Sequence, residues 1–162
     1  MLIAVDTNVL IDLAIKSEAV VDSIETLRER LPNVRLVIPP TALHELALAV
    51  RRGNEIQRRA ALGSLANLRE WGFEPLNLVP VGHGIVEQIA DTLRRKGLIP
   101  MQEKNESLVL SEAGLLGCGI LLTSDAHLRG IDFQQLKLLL DDFHVTAPII
   151  ATPRENVRKF CR

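Results

Sequence analysis

Four acidic residues lie at or near the ends of strands and helices that the sequence predicts, although they are spread over most of the chain. They are Asp6, Glu45, Glu106 and Asp125. Three of them follow a predicted strand or open a predicted helix, and the fourth lies within a helix. Several carboxylates that meet in one place repel each other unless a cation lies among them. Hard oxygen ligands in this number suit Mg²⁺ or Mn²⁺. The expected chemistry is therefore that of a bound divalent cation, provided that the fold brings the acids together.

Short apolar runs predict the strands that would position these acids. The first run covers residues 2–5 and ends at Asp6, which is typical of a strand that is buried on both faces and presents a polar side chain at its C-terminal end. Three further runs have the same form, at residues 34–38, 76–79 and 119–123, and turn residues bound each of them. The runs favour the strands of a parallel sheet.

Segments of helical periodicity separate the apolar runs. They cover residues 18–31, 40–51, 54–71, 82–95 and 103–116. This alternation predicts a three-layer α/β/α domain with a central parallel sheet. Residues 145–162 predict a short extended piece and then a helix opened by Thr152 and Pro153. Because the C-terminal ends of parallel strands share one edge of the sheet, acids far apart in the sequence can meet there.

The composition indicates a folded protein rather than a disordered one. A chain of 162 residues fits one domain, expected to span residues 1–162, and its 47% apolar and 24% charged residues can build a core. No apolar stretch approaches the ~20 residues that span a bilayer, and the first residues lack the features of a secretory leader, so no membrane association and a cytoplasmic location are expected.

The net charge and the two cysteines each argue against a class of protein. A net charge of −1 argues against a wholly basic nucleic-acid binder, although a local basic patch can still bind phosphates. Cys118 and Cys161 lie far apart with no zinc-type spacing, so reduced thiols are expected rather than a metal site or a bridge.

The order and spacing of several motifs resemble those of the PIN-domain family. The resemblance rests on the opening VDTNVLIDL, the segment PPTALHEL, the run NESLVLSEAGLLGCGILLTSD and the closing ATPREN, and it covers nearly the whole chain. Members of the family are metal-dependent ribonucleases. The resemblance implies hydrolysis of RNA phosphodiester bonds by water activated on one or two divalent cations.

The resemblance also implies roles for particular residues. It makes Asp6, Glu45, Glu106 and Asp125 the catalytic acids. Of these, Asp6, Glu106 and Asp125 would hold Mg²⁺ or Mn²⁺. Glu106 occupies a position where family members more often have Asp, which moves the carboxylate by about one methylene group. Asn8 in the DTN motif and Ser124 in the TSD motif are expected to orient a carboxylate or a metal-bound water.

Each acid also has an ordinary structural explanation. Asp6 and Asp125 could cap the helices that follow them. Glu106 could complement a helix dipole, and Glu45 could belong to an amphipathic helix face. Asp132 fits a helix cap and lies outside the motif, so it is only a reserve ligand.

Two arginine pairs flank a polar turn after the helix that carries Glu45. They are Arg51, Arg52, Arg58 and Arg59. They could bind the RNA backbone, and a solvated helix face explains them equally well. Aromatic residues make up 3% of the chain and Tyr is absent, so a stacking platform for bases is nearly lacking. Recognition of RNA would therefore rest on backbone charge and shape.

Several functions remain open at this level. The leading hypothesis is an endoribonuclease of the VapC toxin type, restrained by a small antitoxin protein, and an RNA-processing nuclease would have the same site. A PIN scaffold with weak or no activity that binds RNA or protein is the main alternative. A phosphotransferase with Asp6 as nucleophile would usually have a second acid where Asn8 stands. The Leu138-Leu139-Leu140 run suits either a homodimer face or a buried core.

Overall fold

The computed structural model describes residues 1–160, apart from the side chain of Phe160. Its centre is a parallel sheet made of β1 (Leu2–Val5), β2 (Arg35–Ile38), β3 (Phe73–Pro75), β4 (Ile120–Leu122) and β5 (Ile149–Ala151). The strand order β3-β2-β1-β4-β5 places β1 in the middle, between β2 and β4. The sheet and the helices beside it confirm the predicted three-layer α/β/α fold.

Helices connect the strands. They are α1 (Thr7–Ala14), α2 (Glu18–Arg30), α3 (Pro40–Arg52), α4 (Glu55–Asn67), α5 (Pro80–Arg95), α6 (Lys104–Leu115), α7 (Ala126–Arg129), α8 (Phe133–Asp141) and α9 (Pro153–Phe160). The most extensive helix contacts join α2 to α9, α5 to α6 and α3 to α4. The last helix therefore packs on α2.

The central strands are buried on both faces. Ile3, Ala4 and Val5 of β1 have no exposed surface, and neither do Leu121 and Leu122 of β4. A strand covered by helices on both sides has no solvent face, so its sequence lacks the alternation of polar and apolar residues. This burial explains why short continuous apolar runs located these strands correctly.

The third predicted strand, at residues 76–79, is wrong. The strand at this place is β3, Phe73–Pro75, and the following residues leave the sheet after the Leu76 N–H has donated to the Ile38 carbonyl at 3.1 Å. The β3 strand lies at the sheet edge with only Phe73 buried, so it lacks an apolar run. Val79 is 68% exposed and precedes Pro80, which opens α5. The apolar run at residues 76–79 therefore belongs to the connection between β3 and α5 rather than to a strand.

Other differences concern boundaries. The helix predicted at residues 54–71 is α4, Glu55–Asn67, and turns lead from its end to Gly72, whose φ is +68°. The predicted extended piece and final helix are β5 and α9. Helix α1 was anticipated only through the capping explanation of Asp6.

Two further expectations concern the Leu138 region and the cysteines. Leu139 is 8% exposed and Leu140 is fully buried, whereas Leu138 is 68% exposed, so most of this run belongs to the core. Cys118 is a buried free cysteine, and Cys161 lies outside the described residues. Among residues 1–160, no helix is both long and apolar enough to cross a membrane.

Candidate functional site

The four acids predicted from the sequence line a single cleft at the C-terminal edge of the sheet. The cleft has a volume of about 240 Å³, and we call it the acid cleft. Its walls are formed by Asp6, Thr7, Asn8, Ile11, Glu45, Glu106, Val109 and Asp125. The central position of β1 explains the convergence, because β1 and β4 are adjacent and both end at this edge. Helices α3 and α6 supply the two glutamates.

Asp6 is the most buried of the four acids, with 5% of its surface exposed. Its Oδ1 accepts a hydrogen bond from the Thr7 backbone N–H at 2.7 Å, and the same residue caps helix α1. Its Oδ2 accepts from Asn8 Nδ2 at 2.8 Å and from Thr123 Oγ1 at 2.7 Å. Capping and a role in the cleft are therefore compatible for this residue.

Burial raises the pKa of Asp6 from 3.8 to about 6, and the nearby charge of Glu45 adds to the increase. Hydrogen bonds from Thr123, Thr7 and Asn8 act in the opposite direction without cancelling the effect of burial. The ionised carboxylate is thus disfavoured in the folded protein when no cation is near it. A divalent cation in the acid cleft would offset this cost.

We expect the affinity for Mn²⁺ to depend on pH through Asp6. A proton and the cation compete for this carboxylate, so the affinity should fall about tenfold for each pH unit below 6 and level off above 7. In the metal-free protein, the raised pKa of Asp6 determines how the folding stability changes with pH. The contribution of Asp6 to folding stability decreases as the pH rises from about 4 through 6, because the unfolded chain loses this proton first. Calorimetric titration with Mn²⁺ between pH 5 and 8 measures the affinity, and a fall centred near pH 4 would contradict the assignment.

Asp125, in the TSD motif, lines the same cleft as Asp6 of the DTN motif. Its Oδ1 accepts from the backbone N–H groups of His127 and Leu128 at 2.8 and 2.9 Å, which caps α7. These bonds use only Oδ1, so Oδ2 remains for another ligand. Thr123 Oγ1 joins the two acids, because it donates to Asp6 and accepts from the Asp125 N–H at 3.0 Å.

Glu45 is held from two sides. Its Oε2 accepts from Thr7 Oγ1 at 2.5 Å, and its Oε1 accepts from Asn105 Nδ2 at 2.7 Å. These contacts join α3 to α1 and to α6. A carboxylate fixed at both oxygens is oriented toward the cleft rather than free to rotate, so the simple explanation by an amphipathic helix face is incomplete.

Glu106 lies in the first turn of α6, where a negative charge also complements the helix dipole. Partial burial raises its pKa, and the charges of Glu103, Asp125 and Glu45 raise it further. Glu106 also lines the acid cleft together with Asp6, Glu45 and Asp125. Its longer side chain therefore still reaches the acid cleft in place of the Asp more common in the resemblance.

The acids do not form a ready-made metal cage. Within residues 1–160, no three carboxylate, imidazole or thiol groups lie close enough together to enclose an ion. Mg²⁺ usually keeps several waters and needs only one or two carboxylates from the protein. The hard oxygen donors, together with the raised pKa of Asp6, fit such a partly hydrated ion.

Three residues that sequence reasoning did not select hold the acids in place. They are Thr7, Asn105 and Thr123. Thr7 and Thr123 belong to the DTN and TSD motifs, and Asn105 begins the run NESLVLSEAGLLGCGILLTSD directly before Glu106, so the motifs could have indicated all three. Asn8 contacts Asp6 as expected and also accepts from the Ser124 N–H at 2.9 Å. Ser124 is exposed and reaches the network through its backbone.

A fifth buried carboxylate, Glu112, connects α6 to the start of α3. It is 3% exposed and accepts from the Thr41 N–H at 3.0 Å and from Thr41 Oγ1 at 2.7 Å. Burial raises its pKa. The contact replaces the side-chain cap that Pro39 cannot give to α3, the helix that carries Glu45.

Replacing Glu112 by Leu should destabilise the protein by about 2–3 kcal/mol, because it leaves the Thr41 N–H buried without a partner. Glu112→Gln should cost less than about 1 kcal/mol, since an amide can accept from the Thr41 N–H and donate to its hydroxyl oxygen. Urea unfolding measures both changes. Equal losses for the two variants would contradict this account of the contact.

The four arginines predicted to bind RNA lie at the tip of the α3–α4 hairpin. Arg51, Arg52, Arg58 and Arg59 are all exposed, and none lines the acid cleft. Arg59 pairs with Glu55 at 2.7 Å. At a rise of ~1.5 Å per residue, Arg51 is roughly 9 Å along the helix axis from Glu45. The tight hairpin depends on Gly53, where a Cβ would lie 2.5 Å from the Ala49 carbonyl oxygen.

Comparison with solved structures shows the same fold. The crystal structure of VapBC2 from Rickettsia felis, bound to a DNA fragment from their promoter, matches with a TM-score of 0.63 and 17% identity. The structure of VapBC-1 from nontypeable Haemophilus influenzae matches with a TM-score of 0.60 and 19% identity. In both cases the match covers 94% of this chain and 98% of the other chain.

Comparison of sequences gives the family. No curated protein sequence matches the chain significantly. The family model described as PIN domain matches residues 3–134, which include all four acids of the cleft. PIN domains are generally nucleases. Because this match covers most of the sequence, the chain belongs to the PIN-domain family.

Proposed function

We propose that the protein is a single-domain endoribonuclease, spanning residues 1–162, that depends on Mg²⁺ or Mn²⁺. The observation that carries the proposal is the convergence of Asp6, Glu45, Glu106 and Asp125 on one cleft. Four carboxylates in a cleft of this size have an unfavourable mutual charge that a divalent cation offsets. The nuclease activity general in the family agrees with this chemistry.

Asp6, Glu106 and Asp125 would hold the partly hydrated cation, some of them through its bound waters. The bound cation would lower the pKa of a water and offset charge on the phosphoryl oxygens. Thr123 and Asn8 keep the Asp6 carboxylate oriented through hydrogen bonds of 2.7 and 2.8 Å. The capping bonds to Asp125 fix that side chain in the same way.

Glu45 would orient the attacking water. Thr7 and Asn105 hold its two oxygens. Each carboxylate oxygen has a second lone pair that can accept a hydrogen bond from a water in the cleft. Such a water could transfer its proton to Glu45 as it attacks, so no covalent intermediate on the protein is required.

Cleavage of end-labelled structured RNA by the purified protein tests the proposal. We expect cleavage with Mg²⁺ or Mn²⁺ and none with EDTA. Internal products distinguish an endonuclease from an exonuclease. Absence of cleavage on several RNAs, together with no cation binding by calorimetry, would contradict the proposal.

We also propose that the nuclease is the toxin of a toxin–antitoxin pair and acts in the cytoplasm. The VapBC structures with the same fold support a small antitoxin protein as its partner. A small protein that co-purifies from the native source and inhibits cleavage would support this role. A housekeeping RNA-processing nuclease would instead be isolated without an inhibitor.

Two other assignments are part of the proposal. The hairpin arginines Arg51, Arg52, Arg58 and Arg59 would contact the RNA backbone at a distance from the cleaved bond.

A homodimer would place the exposed Leu138 in its interface, and the mass in solution measured by light scattering decides this point.

A catalytically weak or inactive scaffold is the second candidate. The lack of a ready-made cage among residues 1–160, with Glu in place of the more common Asp, favours it. Such a scaffold would bind RNA or protein without metal-dependent cleavage. The same assay therefore separates the two candidates.

A further inference from the structure

A second cleft, rich in arginine, lies beside the acid cleft. It has a volume of about 440 Å³ and is lined by Arg129, Arg154 and Arg158, and we call it the arginine cleft. Arg129 ends α7, and the other two lie one turn apart on α9. Among residues 1–160, none of these arginines forms an ion pair. Arg129 lies near enough to Glu155 to lower the pKa of that carboxyl, and the charges of Arg154 and Arg158 are available to a ligand.

The two clefts adjoin along two short stretches of chain. Ser124 lines the arginine cleft, and the next residue, Asp125, lines the acid cleft. In the same way, Ile11 lines the acid cleft and Asp12 lines the arginine cleft. The hydrogen bond from the Ser124 N–H to Asn8 Oδ1, at 2.9 Å, fixes the first of these borders. The two clefts are therefore neighbours on the protein.

The groups in the arginine cleft favour an anion. Three guanidinium groups face two carboxylates, those of Asp12 and Glu155. Glu155 accepts from the Thr152 N–H and from Thr152 Oγ1, both at 2.9 Å, and these bonds and the nearby Arg129 lower its pKa. The three arginines therefore exceed the two carboxylates by one charge. The start of α2 also lines the cleft, and Ser17 makes no side-chain capping bond there. The N–H groups of that first turn add positive potential, which the Glu18 carboxylate in the same turn partly offsets.

We infer that the arginine cleft binds the RNA backbone next to the phosphodiester held in the acid cleft, an inference that rests on the proposed nuclease function. A polyanion that approaches four carboxylates is repelled unless cations lie beside its path. Arginine is suited to this task because its planar fork binds phosphate through two hydrogen bonds. An acidic protein segment would meet the same charges, but the position beside the acid cleft favours RNA.

The final helix supplies two of the three arginines of this cleft. Arg154 and Arg158 lie beyond residues 3–134, which match the family model. Helix α9 is fixed to α2 by a buried hydrogen bond from Asn156 Nδ2 to Ser23 Oγ at 3.0 Å. Two of the three cations are therefore held in position by the packing of α9 on α2. Helix α9 thus has a binding role besides its structural one.

RNA binding by a triple variant tests the inference. Arg129→Gln, Arg154→Gln and Arg158→Gln are combined, and a matched control combines Arg30→Gln, Arg69→Gln and Lys137→Gln, three exposed cations that line neither cleft. Fluorescence anisotropy with labelled single-stranded RNA in EDTA measures binding without cleavage. Cleavage with Mn²⁺ is measured separately, and thermal unfolding checks that both variants are folded.

The cleft variant should bind RNA at least about tenfold more weakly than the wild type. The slope of log affinity against log salt should fall by about 2, as for the loss of three single-strand phosphate contacts. The KM of the cleft variant should rise, whereas its kcat should stay within about twofold of the wild-type value. The control variant should stay close to the wild type in both constants. The corresponding triple lysine variant should recover most of the binding.

Wild-type binding by the cleft variant, or an equal loss in the control, would overturn the inference. The first of these results, together with loss of binding to an acidic peptide, would assign the cleft to a protein partner instead. Binding that depends on the arginines without any cleavage by the wild type would refute the nuclease proposal and leave the binding site in place. The two failures are therefore distinguishable.

Discussion

Asp6→Asn is expected to reduce metal-dependent RNA cleavage by about a thousandfold, because it removes charge from the most buried acid of the cleft. The amide can still accept from the Thr7 N–H, so the cap of α1 should remain. Initial rates on end-labelled RNA with Mn²⁺ measure the change, and calorimetry should show weaker Mn²⁺ binding in the same variant.

The control for this variant is Asp132→Asn. Asp132 caps α8 through the Gln135 N–H at 2.9 Å and lies outside the acid cleft. The control therefore repeats the chemical change at a helix cap without touching the proposed site, and its rate should stay within about twofold of the wild type. Equal rates for both variants and the wild type would show that Asp6 has only a capping role.

Glu106→Gln is the second change with a large expected effect. The amide keeps the length of the side chain and removes the charge, so cleavage should fall about a hundredfold. Glu106→Asp introduces the residue that PIN-domain family members more often have at this position, and it should keep at least about a tenth of the wild-type rate. Steady-state cleavage rates over a range of Mn²⁺ concentrations separate lost metal affinity from lost turnover.

Glu55→Gln provides the matched control for this position. Glu55 is also a first-turn acid, on α4; it is exposed, pairs with Arg59 and does not line the acid cleft. If Glu106 only complements its helix dipole, both substitutions would change stability by a few tenths of a kcal/mol up to ~1 and leave the rate unaltered. That result would remove Glu106 from the proposed set of ligands.

The acids could be predicted because of where they stand in the chain. Asp6 and Asp125 follow apolar runs that form adjacent buried strands, so the topology of a parallel sheet brings them to one edge. The same logic failed for β3, because an exposed edge strand needs no apolar run. Burial on both faces is thus the physical condition under which the pattern was informative.

The remaining contacts depend on distances that no pattern records. Asn105 reaches Glu45 across 60 positions of sequence, and Thr41 meets Glu112 across 71. Arg129 and Arg154 share a cleft only because α9 packs back on α2. These contacts follow from the tertiary packing, so the sequence alone indicated neither the support of the acids nor the arginine cleft.

The position of Mn²⁺ in a crystal of the protein tests the central claim most directly. The account predicts an anomalous difference peak in the acid cleft, with carboxylate oxygens of Asp6, Glu106 or Asp125 at roughly 2.0–2.3 Å and water at the other positions. The peak should disappear in crystals of Asp6→Asn. An ordered ion elsewhere, or none at a saturating concentration of Mn²⁺, would contradict the claim that these acids form the metal site.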